Sequence, residues 1–237
     1  VLSGDIDGND TTTNGITRKA SPVGSLPGGD VVGNNSIAVM ILGGNVRINP
    51  NLQYTSSPQD GSFTQLEGLT ITGASSFAEV GGGNGTFEGG LLCFLPPAEQ
   101  PAFALALKDM PATTEPACAP LLKNVLFAGN AGTRGGGVVM VSGTGTSRLK
   151  VEDSEFSGNF ASVSGGAISL YPVTFGSNVV PLHPTQLDVS NSVFNDNSAQ
   201  FSAGGIYFGM ASAVDAPSGL NISQSSFKGN TASAPNE

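Results

Sequence analysis

The sequence predicts an all-β chain wound as a parallel β-helix, a solenoid of short strands, and three observations predict it. A motif built on one phenylalanine and one asparagine recurs four times. The residues before each phenylalanine alternate apolar and polar. The distance between copies changes while the motif does not. Self-similar units too small to bury their own apolar face must stack on one another.

The copies are "FAGNAGTRGGGVVMV" from Phe127, "FSGNFASVSGGAISL" from Phe156, "FNDNSAQFSAGGIYF" from Phe194 and "FKGNTASA" from Phe227. Asn130, Asn159, Asn197 and Asn230 each follow their phenylalanine by three residues. Leu149, Leu187 and Leu220 stand seven residues before it, and Val151, Val189 and Ile222 five before. Leu122 matches in the first copy, where Pro120 replaces the leading leucine. Such a period-two pair shares one face of a strand. The alternates Lys150, Asp188 and Asn221 then point outward. After the asparagine come small residues and a glycine pair, leading into "GVVMV", "AISL" or "IYF", a second β-rich strand.

Successive phenylalanines are 29, 38 and 33 residues apart. The extra residues all fall between the glycine-led strand and the next leucine, so they leave the coil as loops on one side. Each turn should advance by roughly 4.8 Å, and successive turns should occupy both edges of every parallel strand. Phe127, Phe156, Phe194 and Phe227 are expected as an inner stack. Asn130, Asn159, Asn197 and Asn230 are expected as an amide ladder at a corner, with left-handed backbone angles. Glycine serves a tight corner or a close approach of backbones.

In "LEGLTITGA" Ile71 takes the phenylalanine slot and Ala74 the asparagine slot. Ile37–Leu42 and Val46–Ile48 read as strands of an earlier turn, and "GGLLCF" as a strand after a glycine corner. A Pro-rich insertion, residues 94–120, carries "AFALALKDM" as a short helix and is bracketed by Cys93 and Cys118. A disulfide between them would stabilise the chain by roughly 3 kcal/mol in the loop-entropy picture. The whole of residues 1–237 is expected to be one domain of roughly seven to nine turns.

Composition narrows the function classes. A net charge of −9 argues against a nucleic-acid groove and against anionic lipid surfaces. The longest clean aliphatic run, Ile37–Leu42, is far short of a membrane span. The segment has no signal-peptide pattern, which suits a cytosolic chain or a mature or excised piece. Catalytic motifs such as HExxH, a P-loop or CxxC are absent. Glu152, Asp153 and Glu155 are the acidic candidates, but neighbouring strand residues face opposite ways and form no simple dyad. His183 stands alone in a Pro-flanked loop. "SGDIDGND" is the best metal candidate: Asp5, Asp7, Asn9 and Asp10 could offer oxygens to Ca²⁺. It departs from an EF-hand loop, with Asp10 at the glycine position and Ile16 where the bidentate acid belongs.

"FxxN" with "GGA(I/L/V)", as in Phe156–Asn159 and Gly165–Ile168, resembles the repeats of chlamydial polymorphic outer-membrane proteins and other bacterial right-handed parallel β-helix surface proteins. "VLSGDIDGND" and "LEGLTITG" look like first turns of such proteins. The resemblance implies a right-handed coil, in keeping with the usual hand of parallel crossovers. It also implies an extracellular or cell-surface structural, adhesin-like module. With no convergent catalytic cluster among the residues, the chain is expected not to be an enzyme and to have no cofactor beyond the Ca²⁺ candidate. Its partner would be an unidentified host-surface, glycan or protein ligand, met by residues 94–120 and Tyr171–Gln186. Two other expectations stay open. One is a polysaccharide lyase or hydrolase on the same scaffold. The other is a filament of head-to-tail copies, because the repeat stops at "TASAPNE" in mid-turn and leaves an open edge unless the chain continues.

Overall fold

The computed structural model describes residues 1–4, 10–18, 38–43, 46–48, 54–56, 64–74, 89–94, 116–142, 146–172, 185–209 and 218–233. Regular structure among these residues is entirely β-strand. One level of the molecule runs through Thr146–Glu152, Glu155–Ser157, Phe160–Ser164 and Ile168–Pro172. The next runs through Thr185–Ser190, Val193–Asn195, Ser198–Ala199 and Ile206–Phe208. Each strand lies parallel beside its counterpart. The level before, Pro120–Lys123, Leu126–Ala128, Ala131–Arg134 and Val138–Ser142, pairs in the same way. The result is four stacked parallel sheets, visited in turn. The one containing the phenylalanines has six strands, from Leu2–Ser3 to Ser226–Lys228. These are the levels among the described residues; much of residues 19–115, on which the expected further turns fall, lies outside them.

Like residues face like residues across the levels. Phe127, Phe156, Phe194 and Phe227 are direct register partners, as are Leu149, Leu187 and Leu220. Val151 lies between Leu122 and Val189, and Ile71 lies opposite Phe127. The phenylalanine rings stack with centroids 5.0, 4.9 and 4.5 Å apart and planes within 7°. In-register parallel strands enforce this spacing, and offset or stacked rings add to the gain from burial. Each fully buried Phe, Leu or Val contributes about 1.5–3 kcal/mol relative to exposure.

The corners show what the small residues do. Asn130, Asn159, Asn197 and Asn230 do not carry the left-handed angle; Gly129, Gly158, Asp196 and Gly229, one residue earlier, do. The turn has to come before the asparagine so that its amide can point into the stack. At the other corner Asn124, Asp153, Asn191 and Gln224 are left-handed, with φ from 47° to 50°. In the glycine pair, Gly166 is needed for close approach: a Cβ there would lie 2.2 Å from the Gly204 carbonyl oxygen.

Two antiparallel hairpins interrupt the pattern. Thr12–Thr13 and Ile16–Thr17 are joined by Asn14 and Gly15, both at positive φ as a two-residue primed turn requires. Val46–Ile48 pairs antiparallel with Tyr54–Ser56, so it belongs to a hairpin and not to an earlier turn of the coil. Ala38–Gly43 does join the parallel stack, beside Gly89–Phe94. The helix expected in "AFALALKDM", His183, and residues 173–184 of the second loop lie outside the described residues.

Candidate functional site

The asparagine amides of the inside are consumed by the fold. Asn130 Nδ2 donates to Asn159 Oδ1 at 3.0 Å, Asn159 Nδ2 to Asn197 Oδ1 at 2.9 Å, and Asn197 Nδ2 to Asn230 Oδ1 at 2.8 Å. Each Oδ1 also accepts the backbone N–H of the asparagine one level before, at 3.1 Å. The second amide proton goes to a backbone carbonyl; that of Asn159 reaches Phe127 O at 3.0 Å. These buried amides are satisfied by one another, which is the condition for burying them. Ala74 N–H donates to Asn130 Oδ1, so the ladder tolerates an alanine in its slot.

A second ladder, not anticipated from the sequence, runs along the opposite corner. Val125 N–H donates to Ser154 Oγ, Ser154 N–H to Ser192 Oγ, and Ser192 N–H to Ser225 Oγ, each at 3.1 Å. The three hydroxyls donate to the carbonyls of Glu152, Ser190 and Ser223. Serine recurs two residues before each of the last three phenylalanines, and that recurrence is the signal that could have found it.

Some of the outer polar groups also pair among themselves. Lys150 Nζ lies 2.7 Å from Glu152, Asn221 Nδ2 donates to Asp188 at 3.1 Å, and Asn191 Nδ2 donates to Asp153 at 2.5 Å. The Glu152 hydrogen bond and charge raise the Lys150 pKa above its ordinary 10.5, with Asp188 adding to this and slight burial opposing it. Glu152 and Asp153 are thereby committed to different neighbours.

Glu155 has no such partner among the described residues. On the phenylalanine sheet the ring points inward, so Glu155 and Ser157 stand on the outer face beside Val193 and Asn195. The Thr12–Thr17 hairpin docks on this face: Thr72 Oγ1 donates to Thr17 O at 2.9 Å, and Thr17 Oγ1 donates to Asp10 Oδ2 at 3.1 Å. Arg18 leaves the hairpin and, with Glu155, Ser157, Gly158, Asn195 and Asp196, lines a groove of about 330 Å³. Among the described residues, the side chains of Arg18, Glu155, Asn195 and Asp196 have no hydrogen-bond or ion-pair partner. Ser157 Oγ is buried and also unpartnered. The Asp196 carboxylate sits over Gly229, where a Cβ would lie 2.0 Å from Oδ1. The groove therefore offers donors and acceptors side by side, with two carboxylates against one guanidinium.

The sequence-derived candidates fall as follows. Asp5, Asp7 and Asn9 lie outside the described residues, and the Asp10 carboxylate accepts from Thr17. No set of three His, Cys, Asp or Glu side chains converges as a metal site among the described residues. Cys93 ends near Met140 in a parallel pair and Cys118 lies beside Ser147, while their side chains lie outside the described residues. Arg18, Ser157, Asn195 and Asp196 were not anticipated as a group. No repeat marks them, because the hairpin that completes the groove occurs once.

Residues 153–171 match the model of the Chlamydia polymorphic membrane protein repeat. The matched stretch holds Phe156, Asn159 and the Gly165–Ala167 turn, ending in the strand Ile168–Pro172. Neither a curated protein nor a solved structure matches the chain.

Proposed function

We propose that this chain is a right-handed parallel β-helix serving as an extracellular or cell-surface structural, adhesin-like module, with no catalytic role. One observation carries the proposal: the stretch that matches the polymorphic membrane protein repeat falls within one level of the stacked sheets, over its last three strands, and holds both its phenylalanine and its asparagine. The right hand follows from the handedness of parallel crossovers. A coil whose levels lock through side-chain columns is stiff, and a stiff coil presents its loops and grooves at fixed spacing. On this reading residues 94–120 and 171–186 carry recognition, and a Cys93–Cys118 disulfide would tie down the first. Biotinylation of intact cells that make the natural protein tests the location. Labelling before lysis is expected, and labelling only after lysis would refute it.

A second reading, copies stacked end to end, has one observation in its favour. Leu220, Ile222 and Phe227, which continue the buried columns, are 46, 45 and 44% exposed. A following turn of the same chain would cover that face equally well. Sedimentation of the natural protein over a concentration series separates the two, since stacking requires growth with concentration.

A further inference from the structure

We infer that the groove between Arg18 and the Glu155–Gly158 and Asn195–Asp196 segments is a saccharide-binding site for neutral, polyhydroxylated chains. The inference gives the surface module proposed above its ligand; binding in vitro tests the groove, and cell-surface labelling tests the location separately.

The first argument is the convergence of unpaired groups on one groove. On the neighbouring outer face Lys150 holds Glu152 and Asn221 holds Asp188, while at the corner Asn191 holds Asp153. In the groove Arg18, Glu155, Asn195 and Asp196 face common space without pairing, and Ser157 Oγ is buried with its capacity unused. A buried hydroxyl without a partner is costly unless something else meets it.

The second argument is the mixture of groups. A guanidinium only donates, a carboxylate only accepts, and an amide or hydroxyl does both. A sugar hydroxyl, which donates and accepts from one atom, satisfies such a set. A simple cation is opposed by Arg18. An anionic glycan is opposed by Glu155 and Asp196 and by the chain's net charge of −9. Among glycans, a neutral chain meets neither opposition.

The third argument is placement. Ser157 and Asn195 are register partners on adjacent parallel strands. Their spacing of about 4.8 Å is the scale of one sugar ring, and it is fixed by the backbone beneath. A volume of about 330 Å³ accommodates a short saccharide segment.

The test is calorimetric titration of the full chain with neutral, acidic and amino-sugar oligosaccharides chosen from a glycan array, together with a peptide pool. A neutral oligosaccharide is expected to bind. Arg18→Ala and Glu155→Gln are each expected to weaken it about tenfold at unchanged melting temperature. Lys150→Gln, at a side chain already paired with Glu152 and outside the groove, should leave binding unchanged. Asn195→Ala supplies a second groove variant should either of the first two fail to fold. The inference is overturned if no neutral glycan binds, if only acidic glycans or peptides bind, or if folded groove variants bind as well as the parent. Recovery of the glycan with new reducing ends or unsaturated sugars would overturn it in favour of catalysis.

Discussion

Phe156 and Phe227 occupy the same column, one residue type in one slot, yet Phe156 is fully buried and Phe227 is 44% exposed. The same holds for Leu187 against Leu220 and for Val189 against Ile222. Nothing within the motif distinguishes them. The difference lies in their neighbours: the middle level has a level on each side, and the last described level has one. Burial here is a property of the stack, so stability should divide into contributions from each contact between levels.

Substitutions at matched positions can break or sharpen that comparison. Phe156→Ala should cost about 3–5 kcal/mol, the usual range for a fully buried ring, and Phe227→Ala no more than about half as much. Urea denaturation of the pair measures both, and equal losses would break the comparison. Asn159→Ala should come next at about 2–3 kcal/mol, because it leaves an Asn130 amide proton and the Asn130 backbone N–H without their acceptor and removes one donor to the Phe127 carbonyl. Asn230→Ala should cost less, because part-buried Asn230 has a level on one side only. Ser192→Ala should cost about 1 kcal/mol by leaving the Ser154 N–H without its acceptor. Hydrogen exchange at Ser154 should show the loss locally.

The smallest effect belongs to the outer face. Lys150→Gln should change stability by less than about 1 kcal/mol, as exposed ion pairs do. The raised pKa fixes the sign of its pH dependence. The contribution is fully present below a lysine's ordinary 10.5 and is lost as pH rises through the higher folded value. A melting series of parent and variant across that alkaline range would detect it.

The columns were legible because the repeat wrote each of them several times. Leu149, Val151, Phe156 and Asn159 recur at fixed offsets, and parallel strands in register turn equal offsets into stacked side chains. The asparagine's role in a ladder followed from its chemistry. Its backbone angle did not, because glycine or aspartate one residue earlier takes the turn and leaves the amide free to face inward. The serine ladder recurs as regularly. It went unread because serine is common, and because Val125 holds the equivalent slot in the first copy. The groove was not legible at all. Its strand residues Glu155, Ser157 and Asn195 look like ordinary outer-face positions, and Arg18 reaches them only because a hairpin far back in the chain docks beside Thr72. Val46–Ile48 was misplaced for a similar reason: a short β-rich run does not announce whether its partner is the next level or its own hairpin mate.

The central claim is that residues many positions apart in sequence stand directly above one another. Nuclear Overhauser contacts in a sample with labelled phenylalanine rings, assigned by single Phe→Leu variants, test it most directly. Cross-peaks between the rings of Phe156 and Phe194, whose centroids lie 4.9 Å apart, are expected, with Phe127 reaching Phe156 in the same way. A well-folded spectrum with no contact between any consecutive pair of these rings would contradict it.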